Sequence, residues 1–560
     1  MGGDPSRPLR PAALKFHMGR HAERRDAGGE NARMAPPIRG PVRTVLRNIL
    51  SVGGLTLVSR ALGFLRDVLT AALLGAGPVA DAFFVAFRLP NHFRALFAEG
   101  AFNSAFVPLF SAKLVQDGQA AAKRFAEEVM SLLLAVQLLF LAGVLAIMPQ
   151  FMTVFAPGFS DDPEKFRLAV LFTSITFPYL LFISLESLLA GVLNSMGRFA
   201  AAAAAPILLN LCLIAAMVLA APLMPTVGHA LSWGVFVAGL AQFAYLYWEA
   251  NRAGMGLRLP WPRFTPDVKR FLTVLGPAAL GSGLTQINLF VDTLIATMLP
   301  TGAVSYLYYA DRLNQLPLGV IGIAVGTVLL PEMSRRIKGG DEPGAVESQN
   351  RAVELSLVLT LPAAAAFLVA GLPIVSVLFQ HGAFGPTDAA QSAATLQAYA
   401  LGLPAFVVIR SLVNGFYARQ DTATPVRVAL AATVVNVALK LALMGPLAQV
   451  GLAVATSVAA WVNAGLLAWL LTRRGLFRAD ARLIRNLPRM AAAALAMGGT
   501  LWLVQNQLSP WLTAHGLFER LVGLVLLGLA GFLVYAVSAF ALGLLRRSDL
   551  GRFRRRRKGA

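Results

Sequence analysis

Along most of this chain apolar residues run together, without the alternation of a half-buried strand or the one-sided spacing of a surface helix. Stretches such as 129–148, 200–224 and 521–545 hold no charged residue. Each exceeds the roughly 18 residues that mark a bilayer-spanning helix. The polar connections between runs alternate in kind. Arg43 and Arg47 precede the first run, and the connection 75–79 has no Lys or Arg. Lys113, Lys123 and Arg124 follow, then the mainly acidic loop Asp161, Asp162 and Glu164, with Lys165 and Arg167 behind it. The alternation continues to the strongly basic segments 473–489 and 546–558. Short loops rich in Lys and Arg stay on the cytoplasmic side. The pattern therefore predicts an all-α polytopic membrane protein of about 14 transmembrane helices, with both termini cytoplasmic.

Composition agrees. The chain of 560 residues is 57% hydrophobic and 14% charged, against about 25% charged in soluble domains. A net charge of +21 raises nucleic-acid binding. The basic residues, however, lie between apolar runs and in the tails, where topology accounts for them, so no nucleic-acid partner is expected. The single cysteine, Cys212, rules out an internal disulfide framework. No nucleotide-binding loop, zinc-protease motif or nucleophile elbow occurs, and no enzyme activity is expected. Residues 1–42 lack the apolar centre of a signal peptide and read as a disordered basic tail.

The chain resembles itself at an offset of about 225 residues. Asp67 and Gly77 fall opposite Asp292 and Gly302, and 106–113 (FVPLFSAK) falls opposite 329–336 (LLPEMSRR). An offset of six helices leaves the two halves in the same orientation, a known transporter architecture. The expected organisation is two pseudo-symmetric six-helix lobes, 43–255 and 256–475, then two further helices within 476–545 and a basic tail, 546–560.

Ionisable residues inside a bilayer cost at least ~2.5 kcal/mol each, so they mark function. Here they concentrate on a few helices. Arg60, Arg66 and Asp67 lie on the first; Asp81, Arg88, Arg94 and Glu99 on the second; Asp292 on the seventh; Asp311 and Arg312 on the eighth. At 100° per residue Arg60 and Asp67 share a face, as do Asp81, Arg88 and Glu99. Pro90 and Pro317 predict broken helices at corresponding places in the two halves. The reading is a hydrated cationic cavity. Arg60, Arg66, Arg88, Arg94 and Arg312 would fork onto phosphate oxygens, with Asp81 beside them and Asp67, Glu99 and Asp311 as supports. Asp81, near the outer end of the second helix, and Glu99, near the inner end, would close gates by pairing with arginines in alternate states. The alternative is that these groups pair with one another to hold the lobes together.

Three stretches carry a family resemblance: SRALGFLRDVLTAALLGAGPVADAFFVAFRLPNHFRALFAEGAFNSAFVPLFSA (59–112), YYADRLNQLPLGVIGIAVGTVLLPEMSR (308–335) and GFYARQDTATP (415–425). Each resembles a hallmark of the MurJ/MviN family. The resemblance implies an inner-membrane protein that moves lipid II, an undecaprenyl-diphosphate-linked disaccharide-pentapeptide, from the inner to the outer leaflet. It implies Arg60, Arg66, Asp81, Arg94 and Arg312 as functional positions, and a groove for the lipid tail at the last two helices. It also raises a sodium ion held at Asp292 and Asp421, or the membrane potential, as the driving force. A monomer among membrane lipids is expected. Rival readings are a flippase for another lipid-linked glycan, a cation-coupled multidrug antiporter and a non-transporting scaffold.

Overall fold

A computed structural model describes residues 41–97, 100–514 and 516–544. Two units are distinguished, 1–49 and 50–560. Of the first, the opening turns of one helix fall among the described residues; every later element belongs to the second. The expected N-terminal tail, the C-terminal tail and Glu99 lie outside the described residues.

Every described element is helical. The first half holds α1 (Pro41–Leu74), α2 (Pro78–Phe97), α3 (Ala101–Gln116), α4 (Gly118–Ala146), α5 (Met148–Phe155), α6 (Pro163–Thr176), α7 (Tyr179–Ser195), α8 (Phe199–Ala215) and α9 (Val227–Arg252). The second holds α10 (Pro266–Thr297), α11 (Ala303–Lys338), α12 (Glu342–Phe379), α13 (Pro386–Tyr417) and α14 (Ala423–Arg473), followed by α15 (Ala481–Gln507), α16 (Ser509–Leu512) and α17 (Leu517–Ala541). Local chemistry sets several starts. Asp162 accepts from the backbone of Glu164 and Lys165 to open α6, Thr265 accepts from Val268 to open α10, and Asp480 accepts from Leu483 to open α15. Each satisfies amide groups that a helix start leaves unpaired.

Nine of the described helical runs are long and apolar enough to cross a membrane. One of them, α14, has 51 residues and turns sharply at Ala448 (φ 44°, ψ −127°), just after Pro446. At 1.5 Å per residue it would stretch about 75 Å, more than twice the hydrocarbon thickness, so it reads as two passages. The helices bearing the membrane charges, α1, α2, α10 and α11, run 34, 20, 32 and 36 residues.

The breaks expected at Pro90 and Pro317 are corrected: α2 and α11 run through both prolines. Pro90 cannot donate to the carbonyl four residues back, at Ala86. The Thr176 hydroxyl of α6 donates to that oxygen instead, at 2.8 Å, and so satisfies the acceptor that Pro90 leaves unpaired. The departures from helical geometry occur at Ala370 in α12 and at Ala448.

Packing largely follows the sequence halves. The helices α2, α6, α7, α8 and α9 pack together; α11 to α14 form a second group; α15 lies on α12 and carries α17. Two helices cross between the groups: α11 touches α2, and α10 packs along α2 and α3 of the first half and also touches α14. The helix α10 is therefore a shared wall between the halves.

Candidate functional site

The site is set by a register between two helices. On α11, Ser305, Arg312 and Gly319 are seven residues apart, so they fall within about 20° of one face and step about 10 Å along it. Arg60 and Asp67 on α1 have the same spacing. The two faces meet in antiparallel order, with α2 joining at one end.

At the first level Asp81 of α2 is fully buried. It accepts from the Gly302 amide (2.7 Å), the Ser305 amide (3.0 Å) and the Ser305 hydroxyl (2.7 Å). A carboxylate there completes the α11 N-terminus and faces its positive dipole end. Lys165 Nζ lies 3.2 Å from the same carboxylate and 3.3 Å from Thr301 Oγ1. Asp81 was expected beside the substrate arginines and as an outer gate; its acceptor positions are committed to α11 and Lys165. It clamps the two halves at the end carrying the non-basic connections.

The seam beside this clamp is tight. The Ala383 amide donates to Ala72 O (2.8 Å), and the Tyr309 hydroxyl donates to Gly75 O (3.0 Å). Gly75 has φ +68°, and a Cβ there would stand 2.6 Å from Ala383 O. Gly158 lies so close to the backbone of Thr297 and Met298 that no side chain fits. Replacing Gly158 with alanine is expected to cost about 1–3 kcal/mol, as overpacking does. It should appear as a lower melting temperature of the purified protein, and an unchanged one would contradict the seam.

At the second level Asp67, Arg66, Tyr308 and Arg312 converge. Asp67 Oδ1 accepts from Arg66 Nη2 (2.7 Å) and Nε (3.2 Å) and from the Tyr308 hydroxyl (3.0 Å). Arg66 Nη1 donates to Asn210 Oδ1 (2.9 Å). Arg66 is thus buried, with all three nitrogens engaged. Arg312 differs. Its Nε is 3.9 Å from Asp67 Oδ2, a loose pair without a hydrogen bond, and its guanidinium lies 4.6 Å from the Tyr308 ring centroid. The side chain stays 34% exposed. Stacking holds it in place and leaves its donors available.

At the third level Arg60 lies over Gly319, whose missing side chain makes the room. Two hollows open around these levels. One, of about 410 Å³, is lined by Arg60, Arg66, Asp67, Asn210, Arg312 and Arg410 among others. The other, of about 450 Å³, includes Arg88, His92, Asp292, Asp311, Arg312 and Lys440. Arg312, Gln315 and Leu318 line both. Among the described lining residues of the two, six are cationic and three are carboxylates, so the acids do not neutralise the bases. Asp311 accepts from Gln315. Arg94 stands toward the basic end of α2, away from the linings of these two hollows.

The expected sodium pair is corrected. Asp292 is bound by the Lys440 ammonium. Asp421 accepts from the Thr424 amide (2.9 Å) and hydroxyl (2.6 Å) and pairs with Arg474 (2.7 Å) at the start of α14. From there to Lys440 is about 25 Å of helix, so the two carboxylates cannot share an ion. Among the described residues no cluster of three His, Cys, Asp or Glu could hold a metal ion. The Thr424 hydrogen bonds, with Arg474 beside them, hold the Asp421 carboxyl down at about 2. A depressed carboxylate contributes stability above its ordinary value near 3.8, lost only as pH falls through about 2. Asp421→Ala is expected to cost about 0.5–2 kcal/mol as a lost helix cap. The loss in melting temperature should be the same at pH 6 and pH 8; a pH-dependent loss in that range would contradict it.

Sequence reasoning left Asn210 and Tyr308 out of this site, and set Arg410 and Lys440 aside as membrane charges that snorkel toward the interface. Asn210 carried a signal, a lone amide in an apolar run. Tyr308 carried none.

Similarity to known proteins decides the family. The family model described as "Lipid II flippase MurJ" matches residues 70–523. The chain belongs to the MurJ family. A "Probable lipid II flippase MurJ" of Rhizobium meliloti (strain 1021) is 48% identical over 505 residues, covering 89% of this chain and 94% of that protein. A "Lipid II flippase MurJ" of Burkholderia cenocepacia is 36% identical, covering 82% and 90%. A solved structure, "Lipid II flippase MurJ, inward closed conformation", superposes with a TM-score of 0.74 at 25% identity, covering 88% of this chain and 99% of that one. A multidrug resistance MATE family transporter of the MOP superfamily, at 14% identity and a TM-score of 0.63, shares the fold. Like MurJ proteins, the chain is a multi-pass protein of the inner membrane.

Proposed function

We propose that this chain is a lipid II flippase, moving the undecaprenyl-diphosphate-linked peptidoglycan precursor from the inner to the outer leaflet by alternating access. One observation carries the reading: a hollow with more cations than carboxylates, holding loosely paired arginines, beneath a clamped end. A bare diphosphate in hydrocarbon would cost tens of kcal/mol. Guanidinium groups replace its water with charge-assisted hydrogen bonds. Arg312, Arg60, Arg88 and Arg410 supply them, while Arg66 and Asp311 position their neighbours. Arg94 lies on the approach from the basic end.

The basic connections face the cytoplasm and both termini lie there, so the clamped end is the outer one. The headgroup enters the hollow from the cytoplasmic side while the polyprenyl tail stays in lipid, along α15 and α17. Release outward requires the Asp81 clamp to open and the inner end to close, the two-state exchange that defines alternating access. No bond of the substrate is made or broken, so no catalytic group is invoked. The inside-negative potential favours export of the diphosphate. Two negative charges crossing 100 mV gain about 4.6 kcal/mol, at about 2.3 per charge. The protein acts as a monomer.

Translocation of lipid II by the purified protein in vesicles of defined potential tests the reading. Movement of another lipid-linked glycan with lipid II left in place would favour the rival flippase.

A further inference from the structure

The largest departure of the hollow from its expected chemistry is at Asp292. A small coupling cation would need this carboxylate together with further oxygen ligands. The structure instead gives it an ammonium tethered to the chain. Lys440, on the first passage of α14, has a side chain only 3% exposed, and its Nζ is bonded to Asp292 Oδ1 on α10. The other carboxylates lining the two hollows are engaged too: Asp67 by Arg66, Tyr308 and Arg312, and Asp311 by Gln315.

We infer that Lys440 is a built-in counter-cation: its ammonium fills the position that a free alkali cation would take on Asp292, and the transport cycle of this chain runs without bound sodium. Three observations converge on this. The carboxylate is matched by one buried positive charge at bonding distance, so a second cation would meet repulsion as well as attraction. The pair sits where α10, shared between the halves, meets α14, the place where a bound ion would couple the two. Thr293, the next residue on α10, bonds His92 of α2 (3.1 Å), so the same turn of α10 is held from both halves at once. A lysine is tethered to the chain and cannot be released to either side. The cation is therefore part of the machine and does not travel. The driving force then falls on the membrane potential and the substrate gradient. The consequence for transport rests on the flippase reading, but the occupancy of Asp292 does not.

The test is thermal unfolding of the purified full chain in NaCl, KCl and choline chloride at equal ionic strength, without lipid II. Wild type is expected to melt at the same temperature in all three. Lys440→Met frees the Asp292 carboxylate, and a sodium-specific rise in melting temperature is expected; adding Asp292→Asn should remove that rise. If Lys440→Met does not fold, the charge-swapped D292K/K440D protein keeps the pair and is expected to ignore sodium as wild type does. A wild type stabilised by sodium over potassium, with the effect lost in Asp292→Asn, overturns the inference. So does a folded Lys440→Met protein that ignores sodium, or a charge-swapped protein that responds to it. The melting results stand whether or not lipid II is the substrate.

Discussion

Arg312→Gln should lose lipid II translocation by roughly 10- to 150-fold while folding at wild-type yield. The figure comes from the ~1.5–3 kcal/mol carried by a hydrogen bond to a charged group. The protein should survive because Arg312 is one-third exposed and only loosely paired with Asp67. Arg66→Gln should do the reverse. Arg66 is 8% exposed and holds Asp67 and Asn210 together, so its loss leaves a buried carboxylate short of its main cation. Breaking such a pair costs about 3–5 kcal/mol, and the expected result is a sharply lower melting temperature and membrane level. The two variants are compared by melting temperature, protein level and rescue of cells depleted of the wild-type protein. Equal stability losses in both would contradict the division into substrate arginine and positioning arginine.

Asp81→Ala should unlatch the clamped end. It removes the acceptor for two α11 amides and the Ser305 hydroxyl, and strands Lys165, only 3% exposed. At about 3–5 kcal/mol the closed arrangement loses at least 100-fold in population relative to the open one. Ala296 lines the hollow beneath the seam and is 2% exposed. In a Cys212→Ala background, Ala296→Cys should be nearly inert to a membrane-impermeant thiol reagent applied from the outer face. It should label readily once Asp81→Ala is added, and transport should fail. Labelling that stays slow in the doubly altered protein would show that Asp81 is not the latch.

Much of this was legible in the chain because lipid imposes simple rules. Spans were readable as charge-free runs. The face of α1 was readable because Arg60 and Asp67 differ by seven residues. Its partner face was not: of Ser305, Arg312 and Gly319, two carry no charge, and a glycine that makes room for an arginine looks like any glycine in a membrane helix. The partner of Asp81 was not legible, because a carboxylate in sequence does not reveal which helix start it will meet, here one 221 residues away. Pro90 implied a kink, and only the third dimension brings Thr176 to the orphaned Ala86 carbonyl. Likewise the sodium expectation paired Asp292 with Asp421, whereas the electrostatics of Asp292 are decided by Lys440, 148 residues on. Local pattern fixes helices and faces; partners across the bundle decide what each charge does.

Arginines in a wet hollow, receiving an anionic headgroup, are the centre of the mechanism. The most direct test loads labelled lipid II into one leaflet of vesicles containing purified protein and tracks its appearance in the other. Wild type should move it. A variant with Arg60, Arg88 and Arg312 all replaced by glutamine, matched in melting temperature, should leave it where it was placed. Wild-type translocation by that folded, charge-stripped protein would contradict the mechanism.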